Sequence, residues 1–85
     1  MVEILIVDKT EEFVKTYKKI KDSLLKQKIE KQIIKIIENP EIGKPMRFNR
    51  KGTREVYISP YRLSYIYFEE EQKIIILDLY HKDEQ

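Results

Sequence analysis

The chain has 85 residues, enough for one small domain with one modest core. Hydrophobic residues make up 41% and charged residues 38%, with a net charge of +2, so charge alone does not argue for a nucleic-acid partner. With no cysteine and one histidine, disulfide frameworks, thiolate metal sites and histidine-based metal centres are excluded. No apolar run approaches the roughly 20 residues that a membrane span needs. No charged-then-apolar leader opens the chain, so the expectation is a cytoplasmic protein without cofactor or metal.

Residues 2–7 (Val-Glu-Ile-Leu-Ile-Val) form a short β-branched run and predict a strand. Asp8 or Thr10 can cap a following helix, whose first turn holds Glu11 and Glu12, where the helix dipole favours acids. Phe13, Tyr17, Ile20 and Leu24 recur at helical spacing and give that helix one apolar face. Asp22-Ser23 marks a joint, because both residues prefer caps to helix interiors. A second helix runs to about Glu38 with Leu25, Ile29, Ile33, Ile36 and Ile37 on one side and Lys26, Lys28, Lys31 and Lys35 on the other. Asn39-Pro40 stops it, since a residue before proline avoids the helical region.

Residues 39–47 carry two prolines and a glycine and predict a loop. From Gly43 to Arg54 the chain holds Lys44, Arg47, Arg50, Lys51 and Arg54 with no acid, a local basic surface suited to a polyanion or simply a solvated face. Residues 53–59 alternate as a strand, with Arg54, Val56 and Ile58 on one side and Thr53, Glu55 and Tyr57 on the other. Ser59-Pro60 gives a tight connection into a second strand, residues 61–68, which leaves through the acidic turn Glu69-Glu70-Glu71. Residues 74–80 are almost wholly apolar and suit a strand buried on both faces, ending near Tyr80. His81–Gln85 predicts a short polar tail. The order is strand, two-helix hairpin, then a three-stranded antiparallel meander. One twisted sheet with the helices on one face, an α+β fold, is the expectation.

The second strand holds the residue that needs explaining. Arg62 stands second in the aromatic run Tyr61-Arg62-Leu63-Ser64-Tyr65. Antiparallel pairing of the last two strands brings residues 61–63 near 79–82, so Arg62 and Lys82 fall at one end of the sheet, with His81 beside them. Phosphate-binding loops, glycine-rich dinucleotide turns and a serine–histidine context are absent. What remains is cationic and phenolic. Arginine suits bidentate contact with phosphate, and tyrosine and histidine rings can stack on unpaired bases. The plainer reading of Arg62 is a surface ion pair with an acid such as Glu55 or Asp78. The plainer reading of the tyrosines is sheet packing.

Several strings, in this order, resemble the RelE/ParE superfamily of toxins from toxin–antitoxin pairs. They are Glu38-Asn39-Pro40 with Gly43-Lys44-Pro45, then Gly52-Thr53-Arg54-Glu55-Val56-Tyr57, then Tyr61-Arg62-Leu63-Ser64-Tyr65, then Ile75 through Lys82. The resemblance spans nearly the whole chain as one toxin domain, residues 1–85, and implies a four-stranded, largely antiparallel sheet. It further implies a ribosome-dependent endoribonuclease that cleaves mRNA by attack of a ribose 2′-hydroxyl on the adjacent phosphate. Its partners would be the ribosome, mRNA and a cognate, RelB-like antitoxin.

By the same resemblance Arg62 is the phosphate-contacting arginine, Lys82 the basic residue after the last strand and His81 the histidine that many members carry there. Lys44, Arg47, Arg50, Lys51 and Arg54 would bind the RNA backbone, and Tyr80 would take the place of a stacking tyrosine. Glu55 and Tyr57 stand nearest to two lysines that RelE-like nucleases can carry, one of which can act as base. Two other readings within this resemblance are a ParE-like inhibitor of DNA gyrase and an interaction module without chemistry.

Overall fold

The computed structural model describes residues 3–45 and 52–81. Strand β1 (Ile6–Lys9) is followed by helices α1 (Glu11–Lys19) and α2 (Ser23–Glu38), then by strands β2 (Lys44–Pro45), β3 (Thr53–Ile58), β4 (Tyr61–Phe68) and β5 (Lys73–His81). The strands make one sheet in the order β1-β5-β4-β3-β2. Pairing is antiparallel through β2, β3, β4 and β5, while β1 runs parallel to β5. The fold is α+β and the predicted meander is present.

Three expectations change in detail. The sheet has five strands, because Lys44-Pro45, expected within a loop, pairs with Arg54 and Glu55. Proline is tolerated there because β2 is an edge strand. The first strand begins at Ile6 and extends to Lys9, later than the β-branched run suggested. Leu5, Ile6 and Val7 are exposed on this outer edge, and the carbonyl of Gln72 receives the Leu5 N–H at 2.9 Å. Leu24, placed at helical spacing with Phe13, is 67% exposed. The chain leaves α1 at Ile20, and Asp22 starts a new helix by accepting the N–H groups of Leu24 and Leu25, so Leu24 follows the phase of α2.

The core explains the rest of the pattern. Phe13 and Ile20 from the α1 segment and Ile29 and Ile36 from α2 are buried with Val56, Ile58, Leu63, Tyr65, Ile74, Ile76 and Leu79. Val56, Leu63 and Leu79 stand opposite one another across β3, β4 and β5. Each fully buried Ile or Leu contributes about 1.5–3 kcal/mol of transfer free energy, which outweighs helix propensity in setting these positions. On β5 one face is buried throughout, and Ile75 and Leu77 on the other side are only half-buried.

A bulge tunes this register. Ser64 pairs with Asp78 but Tyr65 pairs with Ile76, so Leu77 has no partner residue on β4. The Leu77 carbonyl accepts the hydroxyl of Thr10, while the Thr10 Oγ1 accepts the Phe13 N–H at 3.2 Å. One threonine therefore caps α1 and ties its start to β5. Because of the extra residue, Leu79 and Ile76, three apart, both reach the core.

Candidate functional site

The far face of the meander, away from Val56, Leu63 and Leu79, carries the polar residues. Strand alternation and register arrange them in two adjoining rows. One row is Tyr57, Arg62 and Tyr80, on β3, β4 and β5. The next is Lys44, Glu55, Ser64 and Asp78, on β2 through β5. The rows meet at Glu55. Its Oε1 accepts the Arg62 Nη1 at 2.8 Å, and its Oε2 accepts the Tyr80 hydroxyl.

Arg62 is the arginine that the sequence singled out, and of the two acids named as its possible ion-pair partners, Glu55 and Asp78, it meets Glu55. Its side chain is 39% exposed against 15% for Glu55, so the carboxylate is the more enclosed partner. A half-exposed pair of this kind contributes up to about 1 kcal/mol, too little to make stability its main consequence. The Arg62 Nε is buried and has no hydrogen-bond partner. A guanidinium presents five donors, so the exposed part of Arg62 keeps donors free for an incoming oxyanion, while the enclosed Nε is an unpaired donor that costs stability. Tyr57, across from Arg62, is 54% exposed.

The other candidates divide. Tyr80 lies beside Arg62 on the polar face. Lys44 shares the row of Glu55. His81 pairs with Tyr61, two positions beyond the buried Leu79–Leu63 pair, and its ring meets the Tyr61 ring edge-on at 5.5 Å. Register thus directs His81 to the opposite face of the sheet from Arg62. Arg54 also lies on that opposite side, with Val56, and its Nη1 donates to the carbonyls of Gly43 at 2.8 Å and Glu41 at 3.1 Å. Its charge holds the loop after α2. Arg47, Arg50, Lys51 and Lys82 lie outside the described residues.

That loop is fastened a second time. The fully buried Tyr65 donates its hydroxyl to the Pro40 carbonyl at 2.7 Å and accepts the Gly43 N–H at 2.9 Å. Burial pushes the Tyr65 phenol above its ordinary value, so the donating proton stays in place further into the alkaline range. A side chain at Gly43 would meet the phenol oxygen at 2.7 Å, so only glycine permits this approach. The loop in turn sets β2, which brings Lys44 beside Glu55. A shallow cavity of about 210 Å³ lies next to the loop, lined by Glu41, Pro45, Gly52, Thr53, Arg54, Tyr67 and Glu69. It does not include Arg62 or Glu55.

Sequence reasoning offered Glu55 as one of two acids that could pair with Arg62 and as a departure from a lysine pattern, but gave it no part in the chemistry. The alternation of residues 53–59 was the available signal, since it already set Glu55 and Tyr57 on one side, away from Val56 and Ile58.

A family model described as the ParE toxin of type II toxin–antitoxin systems, parDE, matches residues 7–85. Among solved structures, the chain is similar to the YoeB/ParE toxin from Agrobacterium tumefaciens, with a TM-score of 0.81, 17% identity, and coverage of 91% of this chain and 98% of that one. The RelBE2 toxin–antitoxin complex from Mycobacterium tuberculosis gives 0.79 and 25% identity, covering 96% and 94%. The intact RelBE toxin–antitoxin complex of E. coli gives 0.77 and 21%, covering 94% and 98%. Comparison with curated proteins found no match. The family match over nearly the whole chain, on a fold shared with RelE and YoeB proteins, leads to one conclusion: this chain belongs to the ParE toxin family of type II toxin–antitoxin systems, within the RelE/ParE superfamily.

Proposed function

We propose that this toxin is a ribosome-dependent endoribonuclease that cleaves mRNA through its polar sheet face and is neutralised by a cognate, RelB-like antitoxin. The observation that carries the reading is Arg62, set between Tyr57 and Tyr80 with a guanidinium that is held by Glu55 through Nη1 and is still 39% exposed along its side chain. Arginine at that position can take a phosphate oxygen in the ground state and hold the charge that builds on the phosphoryl centre during attack. The flanking tyrosines offer faces on which unpaired bases can stack, each worth about 1–3 kcal/mol in single-strand binding. Lys44 extends the cationic track along the same face. Lys82, the residue after His81, is assigned a second phosphate contact on its resemblance to the family's basic residue. The antitoxin partner is supported by RelE proteins of this fold that occur in complex with RelB.

Mapping of mRNA cleavage in a ribosome-programmed translation reaction tests the proposal. Cuts that require ribosomes and disappear in Arg62→Ala support it. Growth arrest without cuts rejects it.

The match to a ParE toxin model favours one other reading, the inhibition of DNA gyrase without nuclease chemistry that the sequence resemblance also allows. That reading predicts blocked supercoiling by purified toxin and intact mRNA in arrested cells.

A further inference from the structure

We infer that Glu55 is the proton acceptor of the cleavage reaction, the group that takes the 2′-hydroxyl proton as that oxygen attacks the phosphate. The inference rests on the RNA-cleavage reading and supplies the base which that reading lacks. Attack by a ribose hydroxyl needs an acceptor within hydrogen-bond reach of the oxygen, close to the group that binds the phosphate. Among the described residues at this end of the polar face, two carboxylates are available. The Asp78 Oδ1 accepts the adjacent Leu79 N–H at 2.8 Å, which leaves it other acceptor positions, but the ion pair of Arg62 is with Glu55 and not with Asp78. Glu55 touches Arg62 directly. His81, the other titratable candidate, is directed by register to the opposite face.

The bonding of Glu55 leaves it able to act. A carboxylate has about four acceptor positions, and Arg62 and Tyr80 occupy one on each oxygen. These two donors also fix the carboxylate in one orientation across β3, β4 and β5. Arg62 meets Glu55 through Nη1, and with its side chain 39% exposed the solvent-facing part of the same planar group stays available for the phosphate. A phosphate held there lies next to the carboxylate, and the guanidinium between them offsets their mutual repulsion.

The step balances. The 2′-oxygen loses its proton to Glu55 and forms a bond to phosphorus. The bond from phosphorus to the 5′-oxygen breaks, and that oxygen takes a proton from water. The products are a 2′,3′-cyclic phosphate and a 5′-hydroxyl, and Glu55 then returns its proton to solvent.

Single-turnover cleavage on programmed ribosomes, followed across pH for the unaltered protein, Glu55→Gln and Glu55→Asp, tests the assignment. Gln keeps an acceptor for Arg62 but cannot take a proton. The expected result is a loss of roughly 10²–10⁴-fold in rate for Glu55→Gln, with ribosome binding unchanged and no rise of the residual rate along the acidic limb. Glu55→Asp keeps a base on a shorter arm, so it should regain part of the rate and the acidic limb together. The assignment is overturned if Glu55→Gln cleaves within a few-fold of the unaltered protein. It is equally overturned if a slowed variant keeps the same acidic limb, because Glu55 then only positions Arg62. Failure of the unaltered protein to cut RNA overturns the functional reading as well, which separates that failure from the other two.

Discussion

Arg62 and Tyr80 are cross-strand partners on β4 and β5, and both end on the carboxylate of Glu55 on β3. Three strands thus converge on one acid. The same contact orients Arg62 and limits it, because an anion entering from solvent meets a guanidinium already half neutralised. In a protein from which one toxic activity is expected, this arrangement makes Arg62 and Glu55 the first residues to vary.

Arg62→Ala should leave the fold intact, since the residue is partly exposed and its ion pair is worth up to about 1 kcal/mol. Cleavage should fall by about 10²–10³-fold, the usual consequence of removing one donor to a developing oxyanion. Thermal melting and ribosome-dependent cleavage, measured on the same preparation, check the two halves of this statement. A variant that melts like the parent and cleaves like it would remove Arg62 from the site.

Tyr65→Phe deletes the hydroxyl that joins Pro40 and Gly43 while keeping the buried ring. The Pro40 carbonyl and Gly43 N–H lose their partner in an enclosed place, at an expected cost of about 1–3 kcal/mol. Urea unfolding with an unchanged m-value would report this as stability alone. The loop sets β2, so the RNA contact proposed for Lys44 should weaken as well.

The same hydroxyl predicts an alkaline transition. Burial raises the Tyr65 pKa in the folded state above the ordinary 10.0, so folding favours the protonated phenol. Its contribution is therefore complete below the unfolded-state value and is lost as pH rises from there through the higher folded-state value. Stability should decline above about pH 10. In Tyr65→Phe that decline should be shallower, as a pH series of denaturation midpoints would show.

Gly43→Ala brings a methyl group to 2.7 Å from the Tyr65 oxygen and 3.0 Å from the Arg54 Cβ. Both neighbours are fastened to the loop, so neither can yield freely. The expected destabilisation is about 1–3 kcal/mol, the usual range for overpacking. Chemical denaturation measures it, and a change within experimental error would mean the loop shifts more easily than its hydrogen bonds suggest.

Ile36→Ala and Leu24→Ala, both on α2, should differ sharply. Ile36 is fully buried and its truncation should cost about 2–5 kcal/mol, whereas Leu24 is 67% exposed and its truncation should stay within about 0.5 kcal/mol. Unfolding midpoints of the pair test whether the break at Asp22 truly resets the helix phase.

The order of elements apart from β2, the end of α2 at Asn39-Pro40 and the antiparallel meander were legible in the sequence. Each rests on local chemistry: apolar periodicity, capping residues, and proline's effect on the residue before it. Even the two sides of β3 followed from alternation, because one side had to be apolar to reach the core. What alternation could not supply was the partner of each polar residue. Which acid meets Arg62 depends on the register of β3 against β4, with Tyr57 opposite Arg62 and Glu55 diagonal to it. Alternation already set Arg54 on the side of Val56 and Ile58, but that its guanidinium ends on the loop carbonyls of Gly43 and Glu41 came only with the folded loop. The bulge at Leu77 shows the same limit, since one unpaired residue lets both Ile76 and Leu79 reach the core. Sequence determined the two helices, the strands of the meander and most of the residues buried in them, while β2 and the exposure of Leu24 came only with the fold. Tertiary pairing decided which charges meet, because that depends on register between strands, and register is a property of the assembled sheet.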